Sequence, residues 1–65
     1  MLLYLKAKLD ELRVDYYTFA RLAHIYLYGV DSDMTQCHIN FIQHGIIAPH
    51  VVKYLKHLQE QENVH

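Results

Sequence analysis

The sequence predicts an all-α domain built from four short helices. Three observations lead to this fold class. First, the only chain breakers are Gly29, Gly45 and Pro49, and they divide the chain into segments of helical length. Second, apolar residues recur at the three- and four-residue spacing of a helix. Third, 52% of the residues are apolar and 20% are charged, which is too apolar for a disordered chain. A chain of 65 residues allows a single domain, residues 1–65.

The first 28 residues admit either one long helix or two shorter ones. An unbroken 3,4 spacing of apolar residues favours a single helix, and the chain would then be a coiled-coil dimer. We favour two helices, at 2–13 and 16–28, because the segment from Val14 to Tyr17 forms helix poorly and Asp15 is a good N-cap. The spacing runs through Leu2, Leu5, Leu9, Leu12, Tyr16, Phe19, Ala23, Tyr26 and Val30.

The second helix is apolar on nearly every side, interrupted only by Thr18, Arg21 and His24. A helix of this kind is normally buried all round. Three other helices in 65 residues cannot cover it, so we expect a homodimer in which part of this helix meets a second subunit. The residues we expect at such an interface are Leu9, Tyr16, Phe19 and Tyr26.

Glycines and the proline set the bounds of the last two helices. Gly29 should end the second helix, and the acidic segment after it should cap a third helix at 33–44. Pro49 suits the first position of a fourth helix, which we expect to be regular to residue 58 and frayed over 59–65. In the third helix, Met34, Cys37, Phe41 and Ile42 should point inward, and Gln36, Asn40 and Gln43 outward.

Two residue clusters resemble metal sites without completing one. Asp31, Asp33 and Thr35 match the start of a calcium-binding EF-hand loop, but Gln36 and Ile42 stand where that loop needs Gly and Glu. We therefore interpret the carboxylates as helix caps. Cysteine and histidine are dense from Cys37 to His57, yet their spacing does not match that of zinc ligands on one chain. We expect no metal and no other cofactor.

Enzymatic activity is also not expected. Cys37 lies on the apolar side of its predicted helix, where cysteine usually packs as a small hydrophobic residue. The sequence contains no paired carboxylates, no glycine-rich phosphate loop and no nucleophile with a suitably spaced base. We predict no catalytic residue and no small-molecule substrate.

Neither a membrane span nor a secretory leader is predicted. No apolar run approaches about 20 residues, the length that spans a bilayer. The first residues are apolar before they are basic, which is the reverse of a signal peptide. A single cysteine excludes an internal disulfide. We therefore expect a cytoplasmic protein without membrane contact.

Three short patterns occur in an order typical of one family. They are Thr18-Phe19-Ala20-Arg21-Leu22-Ala23, then Gly29-Val30, then Gly45-Ile46-Ile47-Ala48-Pro49. Together they resemble the lambda-repressor-like helix-turn-helix domains of phage and bacterial regulators. The resemblance spans residues 5–58 and implies a helix-turn-helix-like scaffold whose third helix enters the DNA major groove. The segment from Gly29 to Gly45 is longer than the family pattern, which would shift that recognition helix.

The resemblance also implies a set of DNA-binding residues. Gln36, Asn40 and Gln43 would face base edges, where Gln and Asn can pair with adenine. The candidate phosphate contacts are Arg21, Lys53 and Lys56. The formal net charge is −1, whereas DNA-binding domains usually carry a clear positive surplus.

These observations support two functions of different classes. The first is a small transcriptional regulator that binds DNA as a dimer. The alternative is a protein–protein interaction module, or modulator, that docks through its Tyr-, Phe- and Leu-rich helices without binding DNA.

Overall fold

A computed structural model describes residues 1–63, and these form four α-helices without a strand. The helices are α1 (Leu2–Leu12), α2 (Tyr16–Tyr28), α3 (Thr35–His44) and α4 (Pro49–Asn63). The prediction of an all-α fold with four helices is confirmed, and so is the division of the first 28 residues into two helices.

The break between α1 and α2 is made by three residues, 13–15. Arg13 has a left-handed backbone (φ 56°), and the Val14 N–H donates to the Leu9 carbonyl at 3.1 Å, which closes the end of α1. Asp15 then caps α2, because its carboxylate accepts from the Thr18 N–H at 2.8 Å. Local hydrogen bonds therefore stop one helix and start the next.

The two glycines end the helices for which they were predicted. Gly29 and Gly45 have left-handed backbones, with φ values of 74° and 67°, directly after α2 and α3. Pro49 is the first residue of α4, as predicted.

Three local predictions were wrong. The third helix begins at Thr35 rather than at residue 33, and Met34 is its N-cap without a side-chain hydrogen bond. Ile42, which was expected to point inward, is 66% exposed. The segment expected to be frayed is helical as far as Asn63, because Glu62 is anchored to α1 by Tyr4 and Lys8; residues 64 and 65 lie outside the described part of the chain.

The core lies around α2, which approaches α4 over most of its length and α3 over a shorter stretch. Tyr16 joins three parts of the fold. Its ring stacks on Phe41 of α3 with centroids 4.1 Å apart, and its hydroxyl oxygen accepts from the Ala48 N–H at 3.0 Å just before α4. The main buried cluster comprises Leu5, Tyr16, Phe19, Ala20, Met34, Ala48, Val51 and Leu55.

Candidate interaction surface

The segment between α2 and α3 is tied to α2 by its two carboxylates. Arg21 donates to Asp31 through Nε at 3.1 Å and through Nη2 at 2.5 Å, which forms a two-point ion pair. The guanidinium hydrogen bonds hold the pKa of the Asp31 carboxyl below its ordinary value. Arg21, a predicted phosphate contact, is therefore already paired with a negative charge.

Asp33 makes a second connection of the same kind. Its Oδ1 accepts from the Tyr17 hydroxyl and from the Thr35 hydroxyl, each at 2.7 Å. The hydrogen bond from Tyr17, followed by that from Thr35, lowers the pKa of the Asp33 carboxyl. Asp31 and Asp33 were predicted to cap a helix, and this is only partly right. Their carboxylates mainly accept hydrogen bonds from side chains of α2 and α3, and the N-cap of α3 is Met34.

An open depression of about 290 Å³ lies over these ion pairs and hydrogen bonds. It is lined by Tyr17, Arg21, Asp31, Ser32 and Asp33. One guanidinium faces two carboxylates there, so the local charge is not positive. Arg21, Asp31 and Asp33 are already engaged in the ion pair and the hydroxyl hydrogen bonds described above. The guanidinium in the depression is therefore already neutralised by a carboxylate, which disfavours an anion as its ligand.

The predicted base-reading residues share the outer side of α3. Gln36 donates from Nε2 to Asn40 Oδ1 at 3.1 Å, and Gln43 follows on the same side of the helix. Gln36 and Gln43 are exposed, and Asn40 is half-buried. The structure therefore brings these three amides together, as the sequence predicted.

The predicted phosphate contacts lie on other helices than those amides. Lys53 and Lys56 are exposed on α4, on the side opposite Val51 and Leu55, which pack into the core. Within residues 1–63, no hydrogen bond or ion pair connects either lysine to α3 or to Arg21. Arg21 therefore belongs to α2 and the two lysines to α4, whereas the three amides belong to α3.

The largest apolar exposure at the centre of the fold is on α2. Leu22, Ile25 and Tyr26 are 46%, 40% and 54% exposed, although the same helix supplies three residues to the main buried cluster. These three residues are three and four positions apart and so form one continuous patch on the helix. Thr18 and Gly29 extend this patch along the helix, so the whole strip is uncharged. We call Thr18, Leu22, Ile25, Tyr26 and Gly29 the outer face of α2.

One border of this outer face is held in place by α4. The Tyr26 hydroxyl is 2.6 Å from His57 Nε2, and the Tyr26 ring lies 5.1 Å from the Tyr54 ring between centroids. A side chain restrained by two neighbours loses little conformational freedom on binding. Tyr26 is therefore a pre-positioned aromatic group beside two exposed aliphatic residues.

The four predicted interface residues are divided by the structure. Tyr26 is on the surface, and Leu9 is half-buried against the core. Tyr16 and Phe19 are almost fully buried inside their own chain, so the prediction that they offer an interface surface is wrong. Tyr16 and Phe19 belong to the apolar 3,4 spacing, and α3 and α4 pack against the side of α2 that carries them.

Leu22 and Ile25 were missed as interface candidates. In α2 the 3,4 pattern follows the buried side through Tyr16, Phe19 and Ala23, and of its members in this helix only Tyr26 lies on the outer face, so the pattern favours core residues. Sequence reasoning could have identified them from a second property of α2, namely that it is also apolar at positions outside the 3,4 spacing. Those additional apolar residues mark the face that the rest of the chain leaves uncovered.

Residues 1–63 contain neither a cluster of metal-ligating side chains nor a long apolar helix. No three His, Cys, Asp or Glu side chains there lie close enough together to hold a metal ion. No helix in that part of the chain is long and apolar enough to cross a membrane.

Comparison with known proteins supplies no relative. No family model, curated protein or solved structure matches the chain significantly. The function is therefore inferred from the geometry of the surface alone.

Proposed function

We propose that this protein is a non-catalytic interaction domain whose outer face of α2 receives an apolar helix of a partner protein. The observation that carries this proposal is the half-exposure of Leu22, Ile25 and Tyr26 on the helix at the centre of the fold. Contiguous exposed apolar residues of this kind are characteristic of protein-binding surfaces.

The composition of α2 supports a partner on this face. A helix that is apolar all round is normally covered on all sides. In this fold α4 and α3 cover α2 on the side of Phe19, Ala20 and Ala23, and the opposite side stays open. A helix laid on the outer face would complete the burial of α2.

The shape and charge of the outer face favour a helical, uncharged occupant. Thr18, Leu22, Ile25 and Gly29 follow each other at intervals of four, three and four residues, which forms a ridge along α2. The small residues at both ends allow a second helix to approach closely. Since the ridge carries no charge, a matching partner surface is an apolar stripe rather than an acidic or basic one.

A selection experiment tests this proposal. A phage-displayed library of amphipathic 20-residue peptides is selected against the immobilised protein, and enriched peptides are assayed by fluorescence anisotropy. We expect peptides with apolar residues at 3,4 spacing. Leu22→Asp and Ile25→Asp should each weaken their binding at least about tenfold, because a carboxylate inside an apolar interface loses its hydration.

Ile42→Asp is the matched control, since it introduces the same charge at an exposed aliphatic residue on another helix. It should leave peptide binding unchanged. Peptides that bind the α2 variants as tightly as the unsubstituted protein would contradict the proposal, and so would a library that yields no binder.

A second candidate function is that of a DNA-binding regulator on a helix-turn-helix-like scaffold. The observation in its favour is the row of amides on α3, where Gln36, Asn40 and Gln43 lie on one side. Gln and Asn read adenine edges in the major groove. Two observations weigh against this function, because phosphate contacts supply much of the affinity for DNA. Arg21 is paired with Asp31, and the other two candidate cations, Lys53 and Lys56, lie on α4 rather than on α3.

Binding to a labelled mixed-sequence duplex at about 50 mM and about 200 mM salt decides this second candidate. For a regulator, binding should weaken steeply with salt. Gln36→Ala and Asn40→Ala should then change sequence preference while the salt dependence stays the same. Absence of binding at about 100 μM protein, where non-specific DNA binders still register, would exclude it.

A further inference from the structure

Helix α1 is attached to the rest of the molecule by a small set of side-chain contacts. Leu5 enters the core, Tyr4 and Leu9 pack against it, and Tyr4 and Lys8 both donate to Glu62 near the end of α4. The close backbone approaches within residues 1–63 are those of α2 with α4 and α3, and none of comparable extent involves α1. Leu2 and Leu12, on the inward stripe of α1, remain 42% and 49% exposed.

The connection between α1 and α2 is compatible with a continuous helix. The 3,4 spacing of apolar residues runs from Leu2 to Tyr26 without a change of register at residues 13–15. No Gly or Pro lies in residues 2–28. The break depends on Arg13 in a left-handed conformation, which is costly for a residue with a side chain, and on the Asp15 cap.

We propose that two copies of this chain exchange α1, so that α1 and α2 of each copy join into one helix over residues 2–28. The fused helix is about 40 Å long, which carries α1 away from its own α4 and onto that of the second copy. There Leu5 enters the second copy's core, and Tyr4 and Lys8 donate to that copy's Glu62. Every contact that holds α1 in the single chain is thus re-formed between chains, and Arg13 adopts a right-handed conformation.

The proposal does not depend on the proposed function, because the outer face of α2 takes no part in the exchange. In the exchanged dimer, α1 of one copy packs against Val51, Leu55 and Glu62 of the other copy. It also gives the predicted homodimer a specific geometry. In that geometry Leu9 makes contacts between chains.

A charge-exchange experiment separates this geometry from a side-by-side dimer. One chain carries Lys8→Glu and the other carries Glu62→Lys, and one of the two is ¹⁵N-labelled. Each chain alone has like charges between α1 and α4. In an exchanged heterodimer, the glutamate introduced in one chain meets the lysine introduced in the other, and the native Lys8 meets the native Glu62.

After the two chains are co-refolded, we expect native mass spectrometry to show a heterodimer in excess of either homodimer. The melting temperature of the mixture should exceed that of both separate chains. The control mixture carries Lys53→Glu in one chain and Glu60→Lys in the other, at exposed positions of α4 that lie outside the contacts with α1. It should show no such excess and no rise in melting temperature.

Two further variants test the hinge, residues 13–15, directly. Arg13→Gly favours the left-handed conformation and should lower the dimer fraction measured by light scattering, whereas Asp15→Ala removes the cap and should raise it. The proposal would be overturned if the mixture of charge-exchanged chains stays monomeric. It would also be overturned if heterodimers form only in the statistical proportion and the melting temperature does not rise. An unchanged dimer fraction in both hinge variants would do the same.

Discussion

Single residues decide how the helices are held together, and Tyr16 is the clearest case. Its ring fills the space between α2 and Phe41, and its hydroxyl accepts from the Ala48 N–H in a buried position. Burial raises the pKa of the Tyr16 hydroxyl above its ordinary value. One side chain thus supplies both an aromatic contact and the partner for a backbone group that water does not reach.

Tyr16→Phe should destabilise the protein by about 1–3 kcal/mol, because the buried Ala48 N–H loses its acceptor while the ring contacts remain. Urea unfolding followed by circular dichroism measures this change. Tyr28→Phe is the matched control. The Tyr28 side chain is more than half exposed, so its change should be within about 0.5 kcal/mol. Equal urea midpoints for the two variants would show that the Ala48 hydrogen bond does not contribute to stability.

At the scale of elements, the segment between α2 and α3 is positioned by two carboxylates on its surface as well as by the buried side chain of Met34. Asp31 binds Arg21, and Asp33 binds Tyr17 and Thr35. All of these partners lie on α2 or at the start of α3. The carboxylates therefore determine where α3 begins, which explains why the predicted start at residue 33 was two residues early.

This arrangement predicts that the surface part of the segment, around Asp31 and Asp33, loosens in acid. The pKa values of Asp31 and Asp33 are lower in the folded protein than the ordinary Asp value of 3.8. A lowered pKa means that the charged form is favoured by folding, so the stabilisation is complete above the ordinary value. It is lost as pH falls below about 4 through the lowered values.

Hydrogen exchange or amide chemical shifts of Ser32 and Met34, followed between pH 6 and pH 2, would report this release. An Asp31→Asn, Asp33→Asn double variant should show a weakened docking already at pH 6 and little further change at low pH. If the double variant kept the acid transition of the unsubstituted protein, the carboxylates would not be its cause.

At the scale of the whole molecule, α3 and α4 pack against the central helix α2, whereas α1 is attached through a few side chains. The main cluster of buried residues is small, which is expected for a chain of 65 residues. One face of α2 remains uncovered, and α1 is attached through few contacts. Both features leave apolar surface that a second protein, or a second copy of this chain, can bury.

The local features of this fold were predictable from the sequence. Asp15, Gly29, Gly45 and Pro49 each act through their own backbone conformation or a hydrogen bond to a nearby residue, so their positions mark helix ends without knowledge of the tertiary structure. The same holds for the row of Gln36, Asn40 and Gln43, which follows from helical spacing alone.

Only the tertiary structure decided which apolar side chains are covered. Tyr16 and Leu22 are both apolar residues of the same helix, yet one is buried and the other is half exposed. The difference depends on where α3 and α4 cross α2, and no local pattern contains that information. For the same reason, the sequence could not predict that Arg21 pairs with Asp31 or that α1 binds Glu62. Helix propensity and capping act over a few residues, whereas burial and ion pairing depend on residues that are distant in the chain.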